Sequence, residues 1–339
     1  MDKNRLTQWV QAFPKATILV VGDFFLDKYL IIDPVLDEPS LETGLTAYQI
    51  TSIRLSPGAA GTVTNNLTAL QVGKVMALGI IGQDGQGYEL KTGLQQTGVD
   101  VSNLIETPSR FTPTYTKPLI KEASGEREIN RLDIRNRSAT DAALEDEIIQ
   151  RLIRLAPDVD AIIALDQVME RNTGVITDRV RAALTKLGKQ GTCKVMYADS
   201  RAFIGEFRNM VIKCNNLEVA RVAGLASEDQ QAIVNSARKM AATNSCPVCV
   251  TQGAEGQWVV EAGGATLIPA YKVEGTIDIC GAGDATTAGT VAALACGAPL
   301  TEAAAIGNIV ASITIQQLGT TGTATPAQVI ERIQGWKLV

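Results

Sequence analysis

The chain has 339 residues, 45% of them hydrophobic and 20% charged, enough apolar material for one large α/β domain or two smaller ones. Its net charge is −5 and no Lys/Arg-rich block is present, which argues against nucleic-acid and membrane-surface partners. The absence of histidine excludes Ser-His and Cys-His catalysis and leaves carboxylates, Lys, Arg, backbone amides or a metal to carry any chemistry.

The opening MDKNRLTQWV is polar and acidic, unlike a signal peptide, and no run reaches the roughly 18 apolar residues of a membrane helix. A cytoplasmic protein is therefore expected. Residues 2–13 have the spacing of a short amphipathic helix. The β-branched run 17–21 ends in Gly22-Asp23, the pattern of a buried parallel strand. Ligands of such sheets gather beyond the strands' C-terminal ends, where Asp23 and Asp27 stand. Two segments then change character. Residues 30–56, including 47–54, and residues 112–133 alternate polar and apolar side chains as half-covered strands do. The turn Ser124-Gly125-Glu126 makes the second segment a hairpin. The two segments are expected to form one small sheet over the main domain.

Between them, Pro57-Gly58-Ala59-Ala60-Gly61 reads as a small-residue loop running into a helix. Residues 75–81 form a strand, and 82–87 and 94–100 read as structural turns. From 141 onward strands and helices alternate, as in a parallel sheet. Helix 145–156 precedes strand 161–165, which ends at Asp166, and helix 179–187 precedes strand 194–198, which ends at Asp199. The next strand carries Asn215 and Glu218. Cys246-Pro247-Val248-Cys249 has the spacing of a redox pair, but 248–251 reads as a buried strand rather than a helix start. No second pair or histidine could complete a zinc site, so two reduced, buried thiols are expected. Residues 257–273 resemble a hairpin, and a late helix, 301 to about 317, carries Asn308.

The stretch 278–289 reads DICGAGDATTAG. Small residues at Gly281, Ala282 and Gly283 let the backbone come close to a ligand. The helix that follows directs unpaired N–H groups and its positive dipole end at the same spot, an anion site suited to phosphate. Asp284, in the first turn, can accept the proton of a hydroxyl attacking a phosphoryl group. The dipole and amides are expected to keep it ionised. The plainer reading is an ordinary turn with Asp284 as a helix cap.

This stretch resembles the D-x-x-G-A-G-D-x-x-x-A-G signature of the ribokinase-like (PfkB) carbohydrate kinases, with Cys280 where Thr is common. Further matching pieces follow in order over nearly the whole chain. The resemblance implies a mainly parallel central sheet flanked by helices, built from 1–27, 57–107 and 134–339, with a small β lid from 28–56 and 108–133. It implies ATP-dependent transfer of the γ-phosphoryl group to a sugar or sugar-phosphate hydroxyl. Asp284 would be the base, with Gly281, Ala282 and Gly283 as its anion hole. Asp27, in a segment like the family's first strand, would bind sugar hydroxyls with Gly58, Ala59, Thr62 and Lys117. Ala59 and Thr62 depart from that sugar loop, which has Gly and Asn there. Asn215 and Glu218 match an N-x-x-E motif that orders Mg²⁺ and phosphate through water. Thr251, Gly253 and Gly256 match a T-x-G-x-x-G turn near the nucleotide, and Asn308 lies on the helix that lines the adenine pocket. A monovalent cation such as K⁺ is implied near Asp278, and a homodimer through the lid.

Within the family, the first half most resembles the kinase half of the bifunctional heptose-phosphate kinase/adenylyltransferases. The residues concerned are Gly22-Asp23 to Tyr29, Ser40-Leu41-Glu42, Pro57-Gly58, Thr116-Lys117 and Arg131-Leu132-Asp133. Heptose 7-phosphate is thus a candidate substrate. Without histidine the adenylyltransferase H-x-G-H motif cannot be present, so that half is expected to be absent. The altered sugar loop leaves open a catalytically silent sugar- or nucleotide-binding protein. A Rossmann dehydrogenase is disfavoured, since no G-x-G-x-x-G follows the first strand.

Overall fold

The computed structural model describes residues 1–123, 125–226 and 229–336. Its first strand, β1 (Thr17–Gly22), lies inside the main sheet and divides its side chains between two helical layers. Ile18 and Val20 join an apolar cluster with α1 (Lys3–Ala12), α2 (Ala60–Ala69), α3 (Gly85–Gln96), α8 (Ala282–Ala295), α9 (Leu300–Thr314) and α10 (Pro326–Gly335). Leu19 and Val21 join a second cluster with α4 (Ala142–Leu155), α5 (Asp178–Gln190), α6 (Asn216–Ala223) and α7 (Gln230–Asn244). Helices cover both faces, which is why the strand is apolar throughout instead of alternating.

Parallel partners flank β1. On one side lie β6 (Lys74–Gly82) and then β7 (Asp100–Thr107). On the other lie β11 (Ala161–Asp166), β12 (Val195–Ser200), β13 (Val211–Asn215) and β14 (Val248–Thr251). The antiparallel hairpin of β15 (Gln257–Glu261) and β16 (Gly264–Ile268) closes that edge, shorter than the expected 257–273.

A second, smaller sheet contains β2 (Phe24–Ile32), β5 (Ile50–Ala59), β8 (Thr114–Glu122), β9 (Gly125–Glu128) and β10 (Leu132–Ile134). Here β2 runs antiparallel to β5 and parallel to β8, and β8 pairs antiparallel with β9 and β10. Two two-residue strands, β3 (Glu38–Pro39) and β4 (Thr46–Ala47), pair within the β2–β5 connection. Ser124 of the expected turn lies outside the described residues, and Glu122 pairs with Gly125 across it.

One segment differs from the sequence reading: Pro57-Gly58-Ala59 are the last residues of β5 rather than a loop. Strand β2, which begins directly after Asp23, carries no alternating pattern. Its first three residues are covered by the core and its middle is only partly covered, so no period-two pattern reaches the sequence.

Helix α8 is apolar or small on nearly every side and buried on nearly every side, as a helix inside a core must be. It meets α9 at Gly289 and Gly307. A Cβ at Gly307 would fall 2.2 Å from Thr290 Oγ1 and 2.7 Å from the Thr286 carbonyl. Glycine alone permits this close approach of α9 to α8.

Candidate active site

Gly281 is the N-cap of α8 and takes the left-handed conformation, φ 77°, that glycine adopts without strain. No side chain caps this end; the Ala282 amide donates to the Ile279 carbonyl, which leaves the amides of Gly283 and Asp284 for a ligand. Asp284 follows in that turn. Its carboxyl is not held low as expected: burial pushes it up to about 7. Lys213 and Arg201 pull it down, while Asp199 and Asp27 push it further up. Desolvation outweighs the helix dipole because the surrounding atoms enclose the carboxyl while the dipole charge is fractional.

Asp27 and Lys117 form an ion pair at 3.0 Å where β2 and β8 run side by side. The Lys117 ammonium also lies 4.8 Å from the Tyr29 ring centre. Gly58 backs this pair, since a Cβ there would meet Asp27 Oδ2 at 2.4 Å. Thr62, buried near the start of α2, approaches the anion cradle: a Cβ on Gly281 would lie 3.5 Å from its Cγ2. The structure therefore brings Asp27, Gly58, Thr62 and Lys117 to the same cleft as Asp284.

Ala59 joins β5 to α2 with φ 54° and ψ −117°, a region that residues with a Cβ avoid. The departure from glycine thus carries strain. Ala59→Gly is expected to raise stability by about 1 kcal/mol, strain relief exceeding the added freedom of the unfolded chain. Thermal unfolding would check this, and a lower Tm would refute it.

Asn215 and Glu218 form a reciprocal cap at the start of α6. The Asn215 side chain accepts from the Glu218 amide at 2.9 Å, and Glu218 Oε2 accepts from the Asn215 amide at 2.8 Å. Glu218 keeps its other carboxylate oxygen free of that cap, and burial raises its pKa. Among the described residues no cluster of three or more Cys, Asp or Glu could cage a metal directly. A single half-buried carboxylate instead suits Mg²⁺, which keeps most of its waters. Thr251 sits beside Asn215 in the β13–β14 register. Gly253 and Gly256 turn the chain after it, and a Cβ on Gly256 would meet the Ile268 carbonyl at 2.1 Å.

Asn308 and Asp278 both have partners within the chain. Asn308 is buried with its amide committed: Nδ2 donates to the Ile268 and Pro269 carbonyls, and Oδ1 accepts from Gln257. It ties α9 to the end of β16. Asp278 uses both oxygens on backbone amides, those of Cys280 and Gly319, and so braces the approach to α8 against the loop after α9. The cysteine reading needs one adjustment: Cys249 is buried but Cys246 only partly so, and both are free thiols.

Sequence reasoning missed two clusters. Lys213, in β13, pairs with Asp199 at 2.5 Å across the β12–β13 register. Only Asp199 carried a signal, as a strand-end acid. The second is a cavity of about 90 Å³ where the two sheets meet, lined among others by Asp23, Arg110, Tyr115, Arg135 and Arg201. Asp23 does not face a ligand freely; it accepts the amides of Gln167, Val168 and Val175. Arg201 both lines the cavity and, through its charge, favours the ionised form of Asp284. The three arginines come from separate segments, which no local motif could announce.

The model of the pfkB carbohydrate kinase family matches residues 18–328. The chain belongs to this family. As a pfkB kinase it is an enzyme of carbohydrate phosphorylation. It is 29% identical to the bifunctional protein HldE of Citrifermentans bemidjiense over 98% of this chain and 66% of that protein. The HldE of Shewanella amazonensis is also 29% identical, over 95% of this chain and 64% of its own length. The chain thus spans just under two thirds of these relatives. Among solved structures, Arabidopsis thaliana ribokinase complexed with ribose and ATP has a TM-score of 0.70 at 16% identity, covering 96% of this chain and 99% of that one. Phosphofructokinase-2 from Escherichia coli with fructose-6-phosphate has a TM-score of 0.71 at 16% identity, covering 94% and 99%. These likenesses establish the ribokinase-like fold. Among the described residues no helix is long and apolar enough to cross a membrane.

Proposed function

We propose that this pfkB kinase transfers the γ-phosphoryl group of ATP to a hydroxyl of a sugar phosphate, with heptose 7-phosphate as the leading candidate. The observation that carries the reading is the pairing of Asp284 with an uncapped helix start in one cleft with Asp27 and Lys117. Asp27 would orient the sugar hydroxyls. Asp284 would take the proton of the attacking hydroxyl, and the turn of Gly281, Ala282 and Gly283 would hold the transferred group through the amides of Gly283 and Asp284. Glu218 and Asn215 would hold Mg²⁺ through water, and Mg²⁺ would neutralise phosphate charge when bound. The arginine-lined cavity, whose Arg201 also acts on Asp284, favours a substrate that already carries a phosphate. Thr251, Gly253 and Gly256 would border the nucleotide, and K⁺ would bind near Asp278.

The test is product formation with MgATP across heptose 7-phosphate, fructose 6-phosphate, unphosphorylated heptose and ribose. The expected preference for a sugar phosphate over its unphosphorylated form is about 10²-fold or more in kcat/KM, the scale of a lost charge-assisted contact. A preference for the free sugar refutes the phosphate requirement. Binding of a sugar with no turnover of any would support the silent-binder reading, which the strained Ala59 favours. Adding KCl to the same assay tests the cation.

The small sheet is the proposed face for a second copy of the chain. Ile53 and Leu55 of β5, with Leu41 and Leu45 in the connection before it, are all exposed, and β5 ends the sheet order. Light scattering is expected to give twice the monomer mass, reduced by Ile53→Glu. A monomer mass at micromolar concentration would refute it.

A further inference from the structure

Lys213 is a buried cation in the core of the site. The residue is 6% exposed, and its ammonium comes within 3.1 Å of where a Cβ on Gly283 would stand. Strands β12 and β13 set it directly opposite Asp199, and the 2.5 Å bond between them fixes the ammonium beneath the start of α8. An ammonium has three donors, and Asp199 is the only hydrogen-bond partner of Lys213 among the described residues. Two donors remain uncommitted in a dry setting, directly under a helix start that no side chain caps and where the amides of Gly283 and Asp284 are unbonded. Burying a cation costs several kcal/mol unless it is paired and hydrogen-bonded. Spare donors at an open anion cradle suit an anionic ligand.

From this geometry we infer that Lys213 is a further catalytic residue, whose two free donors grip the phosphoryl group being transferred, with Asp199 as the residue that positions it. The inference rests on the kinase reading. In the reaction, the bond from the γ-phosphorus to the bridging oxygen of ADP breaks and a bond to the sugar oxygen forms. The sugar proton goes to Asp284. Lys213 keeps its proton throughout and supplies hydrogen bonds and charge. Desolvation works against the charged lysine, but Asp199, Asp284 and Glu218 together hold its pKa above the ordinary value. The ammonium in turn draws down the carboxyl of Asp284, which also faces Arg201, Asp199 and Asp27. Lys213 therefore couples the group that receives the proton to the group that receives the charge.

The test compares Lys213→Met, the uncharged double variant Lys213→Met/Asp199→Leu, and Lys213→Arg. The double variant leaves no buried unpaired charge and guards against misfolding, which circular dichroism would monitor. Calorimetry is expected to show ATP binding at least about 10-fold weaker in both Met variants with ADP binding unchanged, since only ATP carries the group to be gripped. Turnover is expected to fall about 10²–10³-fold with the sugar KM unchanged, and Lys213→Arg to recover part of both losses. In Lys213→Met the acid limb of kcat/KM should move to higher pH, because the cation that favours ionised Asp284 is gone. A lysine that only props the strands would lower Tm and leave the ATP-to-ADP affinity ratio as it was. A folded Met variant with that ratio unchanged overturns the inference. The ratio is read without turnover, so it decides the role of Lys213 even if no sugar is phosphorylated, an outcome that would count against the kinase reading alone.

Discussion

Asp284→Asn is expected to lower turnover by about 10²–10⁴-fold, the usual worth of a general base, while nucleotide affinity stays within a few-fold. The amide keeps the shape of the side chain but cannot accept the proton. The parent's kcat/KM should fall below about pH 7, where burial has moved the Asp284 carboxyl and where its base form is lost. The same substitution should stabilise the empty protein at alkaline pH. The folded-state pKa lies above the ordinary carboxylate value, so the folded chain holds this proton more tightly than the unfolded one. That contribution is full below about pH 4 and is lost as pH rises through about 7. Above it, the folded protein carries a carboxylate that its surroundings disfavour. Asp284→Asn removes the penalty and should gain about 1–2 kcal/mol at pH 8, discounted for solvent that still reaches the cleft, and nothing at pH 4. Unfolding curves at the two pH values, with steady-state rates, make the comparison. Near-full turnover rejects the catalytic role, and equal stability at pH 8 rejects the buried-carboxyl account.

The second large effect is expected at Arg181. This guanidinium, 4% exposed, reaches Asp166 at 3.5 Å, Asp178 at 2.9 Å and Glu206 at 3.0 Å, and lies over the rings of Phe203 and Phe207. Asp166 ends β11 and also accepts from Ser200 Oγ at 2.7 Å. Arg181→Met keeps much of the apolar contact and leaves Asp166 buried without its cation, a change that typically costs about 3–5 kcal/mol. Burial, and then the nearby Asp23, push the Asp166 carboxyl up to about 7 in the intact protein. Below that pH it is neutral and needs no cation. The loss should therefore be largest at pH 8 and shrink toward pH 5. Denaturant unfolding at both values checks this, and a loss under about 1 kcal/mol, or one independent of pH, would refute it.

The sequence exposed features whose cause is local. Gly281, Ala282, Gly283 and Asp284 are neighbours, and their turn-to-helix geometry follows from residue type alone. The apolar run of β1 announced a strand covered on both faces. What stayed hidden depends on residues distant in the chain. Lys213 sits in an apolar strand and gains its meaning only from Asp199 opposite and Gly283 above. Asn308 has the same sequence whether it meets a ligand or the carbonyls of Ile268 and Pro269. The charge state of Asp284 was misjudged because helix position is local whereas desolvation is a property of the closed fold.

The strand order carries a cost during synthesis. Strand β1 emerges first from the ribosome, yet it pairs with β11, and the bond from the Thr17 amide to Asp160 spans 143 positions. At elongation rates of about 5–20 residues per second, that interval lasts roughly 7–30 s. Throughout it, one edge of this apolar strand has no native neighbour, a state open to association with other nascent chains. Strand β6 can arrive earlier and cover the opposite edge. The long sequence separation also implies slow refolding in vitro, since distant strands must meet before their pairing stabilises anything. Chaperone demand in this enzyme should therefore be concentrated between the synthesis of β1 and that of β11, before the sheet closes around its oldest strand.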